Sequence, residues 1–182
     1  MGRLRSPERV ELITGLLASD TVYFHKAEKL LERHFGKIEY RSAPIPFTQS
    51  DYYAEEMGAG IIRKFISFER LQRLDDIYKI KLISNRLEQK LSSNGKRNIN
   101  IDPGYLDMAK LILLTTKDYS HRIYLRGSIY AETTLHFQAG TFKPWPWTYR
   151  DYQTNEYLDI FNNIRQIYKT KMEKICRSKR KA

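Results

Sequence analysis

Short apolar runs and alternating apolar and polar positions predict the strands of this chain. In the first half such runs occur at Val10–Ala18, 37–40 and 61–68, and another begins at Ile99. Further strands are predicted at 110–116, 122–125 and 129–137. The unbroken apolar character of the first run is typical of a strand buried on both faces. Asp102-Pro103-Gly104 predicts a turn that ends the fourth strand, because proline fixes φ and glycine tolerates positive φ.

Apolar residues recur at helical spacing in three other segments. The first predicted helix carries its apolar face from Phe24 to Phe35, with Ser19 or Asp20 as the N-cap and Gly36 as the end. The second is predicted to begin at Asp75 and to end near Asn94 and Gly95. An amphipathic pattern over Tyr157–Ile175 predicts the third.

The order of these elements predicts an α+β fold with an antiparallel-rich sheet packed by helices. The first half reads β-α-β-β-α-β, which favours a ferredoxin-like arrangement, and a β-meander and a C-terminal helix follow. We therefore predict a single globular domain over residues 1–168 and a basic C-terminal tail over residues 169–182.

Composition narrows the class of protein. The chain has 182 residues, of which 41% are hydrophobic, so it has ample material for a packed core. No apolar run approaches the roughly 18 residues that a membrane-spanning helix needs. Cys176 is the single cysteine, which excludes an intrachain disulfide and a multi-cysteine zinc site. These features predict a protein of the cytoplasm.

The positive charge is concentrated at the C-terminus. The formal net charge is +11, and the last 14 residues contain seven Lys or Arg against Glu173, so the remainder keeps only +5. A basic tail can contact RNA or an acidic partner, and it can equally be a solubilising extension.

The hairpin around Gly127 predicts a cross-strand register. If Ile123 and Leu125 face the core together with Ile129, the loop must have an odd number of residues, most simply 126–128. Arg122 is then opposite Glu132, and residues 124 and 130 form a tyrosine pair. This arrangement is either an ordinary cross-strand ion pair or the charged floor of a cleft.

A cluster of cationic side chains precedes and begins this hairpin. Lys117, His121 and Arg122 lie within six residues and could hold an anion, because Lys provides a point charge and Arg a planar fork. His121 is a candidate general acid–base beside Asp118, and Glu132 is a second catalytic candidate. The alternative is that Asp118 caps the loop and His121 is solvated.

Two further polar sets are candidates for the same site. Lys81, Asn85 and Glu88 share one stripe of the second helix, which is either a solvated boundary or a contribution to ligand binding. Asp102 either bonds its own turn or, with Glu132, orients the ligand or holds a divalent ion such as Mg²⁺. No set of metal ligands is assigned.

Two aromatic segments are candidate lids. Asp51–Gly58 places acidic and phenolic groups before a glycine turn, and the segment 147–152 carries two tyrosines, a tryptophan and Arg150. The first either covers a ligand or packs as a surface loop, and the second either covers the edge of the sheet or anchors itself through buried aromatic rings.

Standard nucleotide-binding, metalloprotease and hydrolase motifs are absent. The sequence contains no GxxxxGK[ST] phosphate loop, no GxGxxG, no HExxH and no GxSxG. Thr116-Lys117-Asp118 has its aspartate one position too early for the guanine-reading TKxD spacing.

Several runs of residues resemble one known family. PFTQSDYYAEEMG, KFISFERL, NIDPGYLDMAKLILLTTKDYSHRIYL, IYAETTL and PWTYRDYQ are similar to the signature segments of the domain of unknown function 4416 family, over about Arg5 to Tyr168. Arg150 stands where the family pattern would have proline. The resemblance implies a soluble bacterial or archaeal single-domain protein, and it transfers no catalytic residue.

Three functional hypotheses follow. The favoured one is binding, with or without turnover, of an anionic nucleotide- or phosphate-bearing small molecule. Its expected ligand-binding residues are Lys117, His121, Arg122, Glu132, Lys81, Asn85 and Asp102. The others are association with RNA through the tail and exposed aromatic rings, and a non-catalytic interaction scaffold.

Overall fold

The computed structural model describes residues 3–4, 6–48 and 54–181, and the strands in these ranges form one antiparallel sheet. The strands are β1 (Glu11–Ala18), β2 (Ile38–Arg41), β3 (Ile45–Pro46), β4 (Ile62–Phe68), β5 (Asn100–Leu106), β6 (Lys110–Thr115), β7 (Arg122–Arg126), β8 (Ile129–Gln138) and β9 (Thr141–Pro144). Their order is β2-β4-β1-β5-β6-β8-β7, with β3 beside β4 and β9 beside β8. The predicted α+β class is confirmed.

The helices are α1 (Thr21–Phe35), the single-turn α2 (Ala54–Met57), α3 (Ile77–Lys90) and α4 (Asn155–Lys181). α1 begins as predicted, since the Asp20 carboxylate accepts a hydrogen bond from the Val22 amide at 2.9 Å. It ends at Gly36, whose φ is 95°. The predicted start of the second helix at Asp75 is wrong, because this residue lies in a 3₁₀ turn before α3 and pairs with Arg73. None of the helices in the described ranges is both long and apolar enough to span a bilayer.

The first half has the predicted ferredoxin-like arrangement. β4 lies between β1 and β2, and β1 lies between β4 and β5, with every neighbour antiparallel. This is the interleaving of two split β-α-β units. The second half differs from a simple meander, because β8 rather than β7 is the neighbour of β6. β7 therefore lies at an edge of the sheet.

Helices cover both faces of the sheet. On one face, α1 and α3 pack with Leu12, Leu16 and other even-numbered residues of β1. On the other, α4 packs against a cluster that includes Ile13 and Phe65. Every residue of β1 is buried, as the unbroken apolar run predicted.

β5 continues through Asp102-Pro103-Gly104, so the turn predicted at these residues is wrong. β1 pairs with β5 from Asn100 to Leu106, whereas β6 pairs with it only from Gly104 onward. Proline is tolerated in a strand where one edge is unpaired. Gly104 allows the close approach of β6, since a Cβ there would lie 2.3 Å from the Ile112 carbonyl oxygen. The unpaired edge of β5 leaves room for a cavity beside β6.

The hairpin register is as predicted, but its loop is not. Arg122 pairs with Glu132, and Tyr124 pairs with Tyr130 with their rings 5.4 Å apart. The turn consists of two residues of positive φ, Gly127 and Ser128, instead of the predicted three. A bulge in β7 adds the extra residue that this register requires. Ile123 and Leu125 are both exposed, so their predicted core positions are wrong, because β7 lies at an edge of the sheet.

α4 extends beyond the predicted helix and includes the basic tail. It runs unbroken to Lys181, so the predicted boundary at residues 168 and 169 falls inside a helix. Lys171 donates hydrogen bonds to Glu11 at 2.8 Å and to the Phe68 carbonyl at 2.9 Å, and it also pairs with Glu39. These contacts fasten the C-terminal half of α4 to the sheet.

Candidate functional site

A cavity of about 770 Å³ opens beside the unpaired edge of β5. One wall comes from α3, another from the C-terminal end of β6 with β8, and a third from the 3₁₀ turn that precedes α4. Its volume lies within the range of small-molecule sites, roughly 300–1,000 Å³. Nineteen described residues line the cavity, five of them Lys or Arg and four of them Asp or Glu.

Arg63 provides a buried guanidinium at this cavity. The residue is 4% exposed on β4, and its Nη2 donates to Asp151 at 3.2 Å. Its Nη1 and Nε are buried without a hydrogen-bond partner. Arginine stays charged and carries five N–H donors, and a buried donor that is left unpaired costs about 1–3 kcal/mol. The unused donors therefore favour an acceptor in the cavity.

Gly15 and Tyr152 lie beside this guanidinium. A Cβ on Gly15 would lie 2.9 Å from Nη1 of Arg63 and 3.4 Å from the Tyr152 hydroxyl, so the two donors converge over this glycine. The Tyr152 hydroxyl is also buried without a partner. Burial raises the pKa of Tyr152 well above its usual value, so the hydroxyl keeps its proton and can donate.

Asp102 joins cationic groups from both sides of the sheet. Its carboxylate lies 3.3 Å from Nζ of Lys81, which α3 supplies, and 3.9 Å from Nη1 of Arg63. The Asn100 amide donates to the same carboxylate at 2.6 Å. Burial opposes ionisation, but Lys81 and Arg63 outweigh it and hold the pKa of Asp102 below its usual range. Asp102 is thus an ionised acceptor.

Glu88 is the other carboxylate that α3 contributes. It accepts a hydrogen bond from the Ile101 amide at 2.5 Å, and its second oxygen lies 3.8 Å from Arg97. Arg97 in turn pairs with Glu56 of α2 at 2.6 Å. Burial raises the pKa of Glu88 to about 7, so this side chain changes charge near neutral pH.

Glu132 anchors a second polar group on β8. Its Oε2 accepts from Nε of Arg122 at 2.8 Å and lies 3.1 Å from Nε2 of His121. Nη2 of Arg122 donates to the Tyr149 hydroxyl at 2.7 Å, and its Nη1 donates to the Lys117 carbonyl at 3.0 Å. The three residues predicted to hold an anion, Lys117, His121 and Arg122, therefore belong to one hydrogen-bonded network around Glu132.

The segment between β9 and α4 is fixed to β8 rather than free. The Thr148 hydroxyl donates to the Thr134 carbonyl at 2.5 Å, and Trp147 donates to the Thr133 carbonyl at 2.9 Å. The Trp147 ring also stacks on His121 with centroids 5.3 Å apart. This segment positions the residues from Tyr149 to Tyr152 along the cavity.

The seven residues predicted to bind a ligand lie in two places. Five of them line the cavity directly: Lys81, Asn85, Asp102, Lys117 and Glu132. His121 and Arg122 are not in the wall and contact Glu132 from behind it. These two residues therefore support the site.

Two local interpretations of the sequence need correction, and a third falls partly outside the described residues. His121 pairs with Glu132 rather than with Asp118, which is exposed. Lys81 and Glu88 are buried in the cavity wall rather than on a solvated boundary. Of the predicted lid at Asp51–Gly58, residues 51–53 lie outside the described residues.

Sequence reasoning missed Arg63 and Asn100, and it named Asp151 and Tyr152 only as part of the candidate lid at residues 147–152. Arg63 had a usable signal, because a cation at an inward-facing position of an apolar strand must find a partner. The burial of Asp151 and Tyr152 had no signal, since it depends on the path of the segment before α4. In the ranges that the structure covers, no three His, Cys, Asp or Glu side chains lie close enough together to hold a metal ion.

A protein-family model described as Domain of unknown function (DUF4416) matches residues 8–168. No curated protein and no solved structure gives a significant match.

Proposed function

The chain belongs to the family described as Domain of unknown function (DUF4416), and we propose that it binds an anionic, phosphate-bearing small molecule in the cavity beside β5. The observation that carries this proposal is the buried guanidinium of Arg63, whose Nη1 and Nε have no hydrogen-bond partner. The Tyr152 hydroxyl adds a third unused donor. A phosphate has several acceptor oxygens and suits donors that arrive from different directions.

The electrostatics of the cavity support the same ligand. Cationic side chains outnumber carboxylates in its lining, and protonation of Glu88, whose pKa is about 7, widens this excess. Aromatic rings shield the guanidinium from solvent: Arg63 lies 5.3 Å from the Phe47 ring centre and 5.9 Å from that of Tyr152. An anion is held more strongly by a charge that water does not screen.

Ligand-induced stabilisation tests the proposal. Thermal unfolding would be followed with inorganic phosphate, nucleotides and sugar phosphates, each with and without Mg²⁺. A bound compound at 100 times its Kd stabilises the folded state by about 2.7 kcal/mol. We expect a saturable rise in Tm for at least one phosphate compound, confirmed by calorimetric titration.

Variants of Arg63 give the test its specificity. Arg63→Gln should weaken binding by roughly tenfold or more, because hydrogen bonds to charged groups contribute about 1.5–3 kcal/mol. Arg63→Lys keeps the charge and serves if the glutamine variant does not fold. The matched control is Arg165→Gln, since Arg165 is a partly buried arginine that donates to the Met108 carbonyl and lies outside the cavity. The proposal would be refuted if no phosphate compound gave a saturable rise in Tm, or if the Arg63 variant and Arg165→Gln bound phosphate compounds with equal affinity.

Association with RNA is a second candidate, favoured by the C-terminal half of α4. Lys169, Lys174 and Arg177 are exposed on this helix, and Tyr124 and Trp147 expose aromatic surface elsewhere. Single-stranded RNA is bound by such cations and rings, with a steep dependence on salt. We also propose that the protein acts in the cytoplasm, the compartment predicted from its single cysteine.

The contacts of Lys171 determine where α4 can be shortened to test RNA binding. A chain that ends after Glu173 keeps Lys171 and its contacts and removes the more distal cations. RNA affinity in a filter-binding assay should fall steeply with salt and disappear in this shortened chain. Affinity that is independent of salt and of these residues would count against RNA association.

A further inference from the structure

Asp102 restricts which group of a ligand can lie beside it. Its side chain is 31% exposed, and its Oδ2 lies 3.9 Å from Nη1 of Arg63. A group bound to Arg63 is therefore next to Asp102. Because Asp102 is ionised, it can only accept hydrogen bonds, and it repels a second anionic group.

The surroundings of Asp102 also disfavour a cationic group. Lys81 is 3.3 Å from Oδ1, and Arg63 approaches Oδ2. An ammonium group of a ligand would meet both of these charges at short range. A neutral donor such as a hydroxyl group is repelled neither by Asp102 nor by the two cations beside it.

Asn85 offers a second place for hydroxyl groups. It follows Lys81 by one helical turn and lines the same wall of the cavity. Its side chain is half-buried in this wall. An amide can donate and accept, which suits hydroxyl groups of either orientation.

We infer that the ligand is a phosphate ester of a polyhydroxylated molecule, with the phosphate at Arg63 and Tyr152 and hydroxyl groups at Asp102 and Asn85. This inference rests on the proposed function and makes it narrower. Sugar phosphates and nucleotides share this chemistry, whereas dicarboxylates and phosphorylated amines do not. The cavity of about 770 Å³ accommodates either kind of ester.

A matched pair of ligands tests the hydroxyl groups. Propyl phosphate and glycerol 3-phosphate have the same three-carbon skeleton and differ by two hydroxyl groups. By titration calorimetry, glycerol 3-phosphate should bind at least about tenfold more tightly, as expected for a hydrogen bond to a charged acceptor. Phosphoglycolate and 3-aminopropyl phosphate should bind no better than propyl phosphate. Ribose 5-phosphate and AMP then separate the sugar phosphates from the nucleotides.

Variants of Asp102 and Asn85 should change the preference for glycerol 3-phosphate over propyl phosphate. Asp102→Asn should leave propyl phosphate bound equally well or better, because a repelling charge is removed, and should reduce the preference for glycerol 3-phosphate severalfold. Asn85→Ala should reduce the same preference and provides the test if the Asp102 variant does not fold.

The outcomes distinguish this inference from the proposed function. If propyl phosphate and glycerol 3-phosphate bind equally, or if phosphoglycolate binds most tightly, the inference is wrong and anion binding stands. If no phosphate compound binds, the proposed function itself fails. Should both variants fold and keep the wild-type preference, the hydroxyl groups lie elsewhere and the assignment to Asp102 and Asn85 is overturned.

Discussion

At the scale of single residues, Gly15 determines whether the guanidinium of Arg63 can occupy its place. A Cβ on Gly15 would lie 2.9 Å from Nη1 of Arg63 and 3.2 Å from the Phe65 ring. Gly15→Ala should therefore lower the free energy of unfolding by about 1–3 kcal/mol, the usual cost of overpacking, and displace Arg63. Urea unfolding and phosphate titration measure the two effects.

A double-mutant cycle assigns the effect of Gly15 to Arg63. Arg63→Met removes the guanidinium, so Gly15→Ala should cost less in that background than in the wild-type chain. An equal cost in both backgrounds would mean that Phe65, rather than Arg63, occupies the space that the glycine leaves.

Glu88 makes stability depend on pH at the same site. Its pKa is raised by burial from 4.5 to about 7, so the folded state keeps this proton while the unfolded state loses it. The contribution of Glu88 to the free energy of unfolding therefore falls by roughly 3 kcal/mol in total as pH rises from about 4.5 to 7. Above pH 7 this contribution is constant.

Glu88→Gln should remove this fall, because glutamine can still accept from the Ile101 amide without a charge. The stability of the variant relative to the wild type should rise between pH 5 and pH 8, measured by urea unfolding at each pH. Glu69→Gln, at an exposed position, is the control and should show no such trend. A flat difference for Glu88→Gln would contradict the raised pKa.

The residue scale also shows what sequence could and could not reveal about the site. Strand parity predicted the Arg122–Glu132 pair correctly, because side chains alternate with period two and a bulge in β7 supplies the residue that the assumed longer loop would have added. The pairing of His121 with Glu132 instead of Asp118 did not follow, since it depends on how the loop folds back. Lys81 reaches Asp102 between two layers, and no local pattern encodes that distance.

At the scale of elements, the contacts of Lys171 determine how far α4 is docked. Its Nζ binds Glu11, Glu39 and the Phe68 carbonyl, so one side chain joins the helix to β1, β2 and β4. Lys171→Gln should lower the free energy of unfolding by about 1.5–3 kcal/mol, the contribution of hydrogen bonds to a charged group. Lys174→Gln is the matched control on exposed helix surface and should change it by less than about 0.5 kcal/mol.

Hydrogen exchange locates the effect within the helix. In Lys171→Gln, amides C-terminal to position 171 should exchange faster, while those near Phe161 in the core should keep their protection. Equal exchange along all of α4 in variant and wild type would mean that Met172 and its neighbours dock the helix without the lysine.

Element boundaries were predicted well where the signal is local and poorly where it is not. α1 follows from Asp20, its apolar spacing and Gly36, all of which lie within the helix or beside it. β5 passes through Pro103 because β1 pairs with it over its full length, a long-range interaction that overrides the local turn signal. The sequence pattern of a turn does not report which neighbouring strand is present.

At the scale of the whole molecule, β1 belongs to both hydrophobic layers. Leu12 packs with α1 and α3, whereas Ile13 packs with α4 on the opposite face. The ferredoxin-like half and the second half also share β5, which pairs with β1 on one side and with β6 on the other. The cavity lies at this junction, so its geometry depends on both halves being folded.

This sharing predicts that the chain unfolds as one cooperative unit. Leu12→Ala and Ile13→Ala should each lower the free energy of unfolding by about 2–5 kcal/mol, because each leaves a cavity in a fully buried layer. Helix content from circular dichroism and the fluorescence of Trp145 and Trp147 should give the same urea midpoint in each variant. If Leu12→Ala instead shifted the dichroism midpoint and left the tryptophan midpoint unchanged, the two layers would be independent folding units. In that event the cavity could be lost while α4 and the strands around it remain folded.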